Sequence, residues 1–294
     1  MTTPAARLRE LLARPGILPM PCCFDALSAR LIERAGFPIT FMSGFAVSAA
    51  RLARPDAGLI SFGEMRDQLR DITAAVSIPV LADGDTGYGN AVNVRRTVRE
   101  YARMGAAAVM IEDQVWPKRC GHTRGKQVVD FGEAVMRIRA ACDARDEGAD
   151  ILILARTDAR ATHGFEEALR RMKAFEEAGA DLLFLEGPQS IEEMEAFCRA
   201  VSKPTVANMV EGGDTPLLPP VELEAIGYRI VAWPLTLLSA AMRAMERALE
   251  ALAAGRTPWD LLLSFSALQE RVGFPDYDRE AARYALQPED RAGG

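Results

Sequence analysis

The stretch FEEALRRMKAFEEAGADLLFLEG, Phe165 to Gly187, contains a whole structural unit together with its punctuation. From Phe165 to Glu177 apolar residues recur at helical spacing among charged ones, the pattern of a helix with one buried face. Gly179 follows where a helix stops, because glycine enters the left-handed cap at no steric cost. After the Ala180–Asp181 turn, Leu182 to Leu185 form an unbroken apolar run. A short run bounded by turn residues fits a strand buried on both faces, and such strands belong to parallel sheets. The stretch reads as helix, turn, strand.

The same unit recurs along the chain. Apolar runs of the strand type are ILPMPCCF, ITFMSG, IPVLADGD, AAVMIED, ILILARTD, LLFLEG, TVANMV and RIVAW. Between them lie helical patterns such as DALSARLIERAG, AVNVRRTVREYARMG and GEAVMRIRAACDARDEG. Eight strand–helix units in 294 residues predict an α/β fold of the (β/α)8 TIM-barrel type, which takes about 250 residues. A doubly wound open sheet is the alternative, and eight units favour closure. PAARLRELLARP predicts a helix ahead of the first strand, and WDLLLSFSALQERVGF another amphipathic stretch near the C-terminus. With no linker or low-complexity segment, residues 1–294 are expected to form a single domain with helical appendages.

Composition narrows the function classes. Hydrophobic residues make up 49% and charged residues 26% of a chain with net charge −6, which argues against nucleic acid as a partner. The N-terminal MTTPAARLRELLARPG is too polar for a signal-peptide core and too short for a membrane span. Five cysteines without a spacing framework suit a reducing compartment, so a cytoplasmic location is expected. The two histidines, His122 and His163, lie in no zinc-like spacing.

In such barrels chemistry gathers at the C-terminal strand ends. Those ends carry Asp25, Ser43 with Gly44, Asp83 with Asp85, Glu112, Arg156 with Asp158, Glu186 and Asn208. Each alone reads more readily as a cap or turn residue, but their joint placement on one face favours a site. In ADGDTGYGN, Asp83 and Asp85 do not start an EF-hand, because position twelve would be Val94. Nor do the glycines make a dinucleotide fingerprint, which would need glycine at Val92. A hard-cation site remains, with Asp carboxylates holding Mg²⁺ and Glu112 completing the shell directly or through water.

Absences narrow the reaction. No lysine lies at a strand end to form an imine, and no GxSxG occurs. Metal-assisted acid–base chemistry on a 2-hydroxy or 2-oxo acid survives, with Arg156 holding a carboxylate. WPKRCGHTRGK, Trp116 to Lys126, surrounds Cys120 with cations that favour its thiolate, although most cysteines are simply small buried hydrophobes. The aperiodic segment Gln114 to Gly132 has the length of an active-site lid, one that would deliver Cys120 as a proton carrier.

These residues also carry a resemblance. SG after the second strand, RPDAG, DGDTGYG, IEDQ, KRCGH, ARTDA, EGP and ANM occur in that order. They resemble the isocitrate lyase/phosphoenolpyruvate mutase superfamily over nearly the whole chain, and KRCGH resembles its lyase branch, which uses this cysteine as proton donor. The resemblance implies Mg²⁺, replaceable by Mn²⁺, at Asp85 with Asp83, Glu112 and Asp56 in or near its shell. It implies substrate carboxylates held by Ser43, Gly44, Phe45, Gly121, Arg156 and Asn208, with Glu186 and His122 nearby. It further implies a homotetramer whose C-terminal helix is exchanged between neighbours.

Some positions depart from the tricarboxylate-cleaving branch, the methylisocitrate lyases. Phe41 stands where those enzymes usually have tyrosine, and Ser239 stands where they tend to have an arginine for a third carboxylate, with Arg243 one helical turn further on. CGHTRGK is closer to the dimethylmalate lyase and petal-death-protein group. Oxaloacetate hydrolases typically show serine in place of Pro234. The expected activity is Mg²⁺-dependent carbon–carbon cleavage of a substituted malate, a di- or tricarboxylate small molecule, with no nucleic-acid or membrane partner. Oxaloacetate hydrolysis and methylisocitrate cleavage are the enzymatic alternatives. A catalytically silent metabolite-binding barrel is the alternative from another class, and the presence of Asp85, Cys120 and Arg156 speaks against it.

Overall fold

The computed structural model describes residues 2–121 and 125–285. Eight strands lie in the first of two compact units, the one that ends at Ser239. They are β1 (Leu18–Cys23), β2 (Thr40–Met42), β3 (Val80–Asp83), β4 (Ala108–Glu112), β5 (Leu152–Thr157), β6 (Leu182–Leu185), β7 (Val206–Asn208) and β8 (Ile230–Trp233). All pair in parallel, in the order β6-β5-β4-β3-β2-β1-β8-β7. A parallel bridge from Leu183 to Thr205 joins β6 to β7, so the sheet returns on itself as a (β/α)8 barrel.

The stretch from Phe165 shows how each unit is built. Its helix, Phe165–Glu177, buries Ala168, Met172 and Phe175. Gly179 then takes φ +105°, and the Ala180 amide donates to the Phe175 carbonyl at 3.1 Å. That left-handed turn satisfies the last carbonyls of the helix and aims the chain directly into β6.

The period of two along each strand sorts side chains into two cores. Outward residues such as Val109, Ile153 and Leu183 pack under the helices. Inward residues such as Leu81, Met110, Leu154 and Phe184 fill the lumen. Ala5 and Leu8 belong to that lumen core, which explains the N-terminal helix Pro4–Ala13. Its apolar face plugs the end of the barrel away from the strand C-termini.

The second unit begins at Ala240, inside the helix Thr236–Ala253. The stretch from Trp259, expected as one amphipathic segment, is divided. A 3₁₀ turn, Trp259–Leu261, precedes the helices Phe265–Val272 and Phe274–Arg283. Ser264 accepts from the Ala267 amide at 3.2 Å and starts one helix, while Gly273, at φ +95°, separates the two. Trp259, Phe265 and Tyr277 remain at least 70% exposed. Among the described residues no helix is long and apolar enough to cross a membrane.

Candidate active site

The lumen's top layer changes character. Two residues beyond the apolar Phe41, Leu81, Met110, Leu154, Phe184 and Val206 stand Ser43, Asp83, Glu112, Arg156, Glu186 and Asn208. All six line one cavity of about 90 Å³. Strand period alone brings them together, because a side chain two positions on faces the same way. β1 and β8 contribute only apolar groups at this level, with Ala232 and Pro234 on the wall. Asp25 instead caps the helix Ala26–Arg34, accepting from the Ser28 amide at 2.6 Å. That strand end is structural.

One side of the cavity is acidic. Asp83 Oδ1 accepts from the Asp85 amide at 2.9 Å, and Oδ2 from the Gly44 amide at 3.3 Å. A Cβ on Gly44 would lie 2.5 Å from Asp83 Oδ2, so this approach requires glycine. Asp85 sits at φ +48°, a left-handed conformation that aspartate tolerates better than most residues. Burial, with Asp85 adding to it, pushes the Asp83 carboxyl above its ordinary range. Burial pushes Glu112 up further, despite Arg156 beside it.

Lys118, which reasoning from strand ends missed, reaches this acidic side from the loop after β4. Its Nζ lies 2.6 Å from Asp56 Oδ1 and 2.7 Å from Asp85 Oδ1. These are ion contacts rather than directed hydrogen bonds, because both oxygens lack a hydrogen-bond partner among the described residues. Asp85 Oδ2 and Glu112 Oε1 are likewise buried without one. Burial pulls the lysine down, but Asp85, Asp83, Asp56 and Glu112 outweigh it and hold the ammonium well above its ordinary value. A protonated lysine so held is no imine-forming nucleophile. Among the described residues no group of three His, Cys, Asp or Glu side chains is arranged to hold a metal ion as it stands. Asp85 Oδ2 and Glu112 Oε1, buried without a partner among the described residues, nevertheless fit a hard cation, since anionic oxygens removed from water need positive charge.

The opposite side centres on Arg156. Asp158 binds it through two hydrogen bonds, Glu186 lies 3.2 Å from Nη2, and Glu112 lies 3.4 Å from Nε. Burial opposes the charge, but Asp158, Glu186 and Glu112 prevail and keep the guanidinium protonated well beyond its usual range. Asn208 Nδ2 donates to both oxygens of Glu186, at 3.3 and 3.2 Å. Behind this cluster lies Asp113, buried and accepting from Thr157 Oγ1 at 2.5 Å, the Asp158 amide at 2.9 Å and Arg171 Nη1 at 3.0 Å.

The segment from Gln114 leaves and returns as a short ribbon. Gln114 and Val128 form an antiparallel bridge, and the Val115 amide donates to the Gln127 carbonyl at 2.8 Å. Its far part covers the cavity with Arg119, Cys120 and Gly121 on the lining. A Cβ on Gly121 would meet Arg156 Nη2 at 2.5 Å and Glu186 Cδ at 2.8 Å, so this backbone rests directly on the polar layer. Cys120 is half-buried, whereas Cys22, Cys23 and Cys142 are fully buried.

Of the candidate residues, Ser43, Phe45, Asp56, Asp83, Glu112, Cys120, Gly121, Arg156, Glu186 and Asn208 share the cavity. Gly44 and Asp85 lie immediately behind it, through Asp83 and Lys118 respectively. His122 lies outside the described residues. Residues 8–253 match the family described as phosphoenolpyruvate phosphomutase. The 2,3-dimethylmalate lyase of Eubacterium barkeri is 44% identical over 96% of this chain and 98% of its own.

The chain belongs to the phosphoenolpyruvate mutase/isocitrate lyase superfamily.

Within that superfamily it is an enzyme, a carbon–carbon lyase. A crystal structure of 2,3-dimethylmalate lyase superposes with a TM-score of 0.92 at 39% identity, covering 100% of this chain and 99% of the other. Oxaloacetate acetylhydrolase in complex with 3,3-difluorooxalacetate gives 0.92 at 35% identity, with 98% and 99% coverage. Phosphonopyruvate hydrolase in complex with oxalate and Mg²⁺ gives 0.85 at 31% identity, with 96% and 99% coverage. The superfamily's barrel thus accounts for the joint placement of polar groups at the strand ends.

Proposed function

We propose that the enzyme cleaves a substituted malate into a 2-oxo acid and a carboxylic acid, with Cys120 as proton donor. The carrying observation is the two-sided cavity. The acidic side holds Glu112 Oε1 and, behind the lining, Asp85 Oδ2, both buried without partners among the described residues, while Arg156, Asn208, Cys120 and Gly121 line the same cavity.

Asp85, with Asp83, Glu112 and Asp56 in or near the shell, would hold Mg²⁺, with Mn²⁺ able to substitute. When bound, the cation would act as a Lewis acid toward the hydroxyl and carboxylate of a 2-hydroxy acid. The protein's own groups orient and close the site. The helix Gly44–Leu52 opens its N-terminus on the cavity through Ser43 and Phe45, where amide groups and the helix dipole favour an anion. Arg156, Gly121 and Asn208 hold the remaining carboxylate oxygens, with Glu186 nearby. As the hydroxyl loses its proton, the bond to the substituted carbon breaks and a carbonyl forms. The electron pair passes to that carbon and its carboxylate, and Cys120 delivers the proton that completes the product. Phe41, on the lining, has no group to accept the hydroxyl proton, so that base lies elsewhere.

Oxaloacetate hydrolysis is the second reading, supported by the likeness to the acetylhydrolase. Pro234 on the wall disfavours it, because proline offers neither hydroxyl nor amide hydrogen to water or a hydrated carbonyl. A turnover screen of 2-alkylmalates, methylisocitrate, isocitrate and oxaloacetate with Mg²⁺ tests the proposal. Oxaloacetate as the best substrate would overturn it.

The exposed aromatic residues of the second unit fit a homotetramer with exchanged C-terminal helices, each chain contributing one catalytic barrel. The dispersed cysteines suit the cytoplasm. Light scattering on the purified chain tests the assembly.

A further inference from the structure

Cys120 is held from both sides through its neighbours' backbone. Upstream, Gln114 clamps Arg119: Nε2 donates to its carbonyl at 2.8 Å, and Oε1 accepts from its amide at 2.9 Å. Downstream, Lys126 Nζ donates to the Gly121 carbonyl and, at 3.1 Å, to Asp158 Oδ1. The Lys126 side chain is only 5% exposed, unusual for a lysine in a surface ribbon, and a buried ammonium is stable only when paired. Asp158 Oδ1 also accepts from Arg156 Nη2 at 3.0 Å. One carboxylate therefore binds both the group expected to hold substrate and the cation that holds the backbone after Cys120.

We infer that Lys126 is a positioning residue, which ties the Cys120–Gly121 backbone to Arg156 through Asp158. The thiol and the guanidinium are then set relative to each other before substrate arrives. Gly121 can seat against Arg156 and Glu186 only because it lacks a Cβ, and Lys126 supplies the pull that keeps it there. Neutralising Lys126 removes that pull and leaves Arg156 with Asp158. The inference rests on Cys120 being the proton donor.

The test compares Lys126→Met, Lys126→Arg, Cys120→Ser and the Lys126→Met/Cys120→Ser double variant in the full chain. Two readouts are taken: turnover of 2,3-dimethylmalate with Mg²⁺, and iodoacetamide labelling of Cys120 relative to half-buried Cys198, resolved by mass spectrometry. Lys126→Met should lower kcat about 10- to 100-fold, the scale of a misplacement near 1 Å. It should raise the Cys120/Cys198 labelling ratio at least about fivefold, whereas general loosening would raise both cysteines together. Lys126→Arg should restore most of both. The double variant should be no slower than Cys120→Ser. Should Lys126→Met not fold at the assay temperature, Lys126→Gln, which keeps a donor for the Gly121 carbonyl, takes its place with the same expected direction. An unchanged labelling ratio in a folded variant, whatever its kcat, overturns the inference. Wild-type turnover by Cys120→Ser overturns the proton-donor reading instead, and the labelling ratio then still reports on the tie.

Discussion

Asp158 grips Arg156 with two hydrogen bonds, Nε to Oδ2 at 2.9 Å and Nη2 to Oδ1 at 3.0 Å. A guanidinium held in this bidentate way has one orientation, which suits a residue that must present its remaining donors to a substrate. Asp158→Asn keeps the size but loses the charge and one acceptor. It should reduce kcat/KM by about 10²-fold, as expected for misplaced positioning, and also lower stability, because buried Arg156 and Lys126 lose the charge they share. Steady-state kinetics beside a thermal melt checks both parts.

The cation proposal rests on Asp85, whose Oδ2 is buried without a hydrogen-bond partner among the described residues while Oδ1 contacts only the Lys118 ammonium. Asp85→Ala should abolish metal-dependent turnover. Calorimetric titration with Mg²⁺ should lose its binding heat, a readout independent of activity. Full activity of the unmutated enzyme in excess chelator would rule the metal assignment out.

Cys120→Ala should lower kcat about 10²- to 10⁴-fold, the usual range for general acid–base catalysis. Mg²⁺ binding should persist, because the carboxylates remain. Cys142 and Cys198 lie away from the cavity, and alanine there should affect only stability. A Cys120→Ala enzyme that works at the normal rate would remove the proposed donor.

The polar layer was legible because period two is unforgiving: Asp83, Glu112, Arg156, Glu186 and Asn208 each follow a lumen residue by two positions. The supporting groups were not. Asp113 and Thr157 alternate outward, toward the helices, where an apolar residue is the ordinary expectation, and their partner Arg171 sits within the helix Phe165–Glu177. Lys118 escaped for another reason. It arrives from an aperiodic loop, and only the fold reveals that such a loop turns back over the strand ends. The sequence signal was present in the density of cations around Cys120.

That hidden support gives a stability prediction. Arg171 and Asp113 are both about 97–99% buried side chains paired at 3.0 Å. Arg171→Leu leaves the Asp113 carboxylate buried with neutral donors only, and breaking such a pair costs about 3–5 kcal/mol. Denaturant unfolding should show that loss.

The last prediction concerns substrate size. Pro234, Leu235 and Val210 give the cavity an apolar wall, on which Trp233 does not lie. A third substrate carboxylate against that wall would be desolvated without a cation, at a cost of several kcal/mol. Ser239 is exposed, and Arg243 pairs with Glu246 at 3.6 Å within the second unit. A methyl group in place of that carboxylate removes the charge penalty and gains contact with Leu235 and Val210. The enzyme should therefore favour alkylmalates over tricarboxylates by at least about 10²-fold in kcat/KM, equivalent to roughly 2.7 kcal/mol. Leu235→Arg, which places a guanidinium on the wall, should shrink that preference by raising kcat/KM for the tricarboxylate. Equal kcat/KM for 2-methylisocitrate and 2,3-dimethylmalate in the unmutated enzyme would show that a cation already reaches the wall.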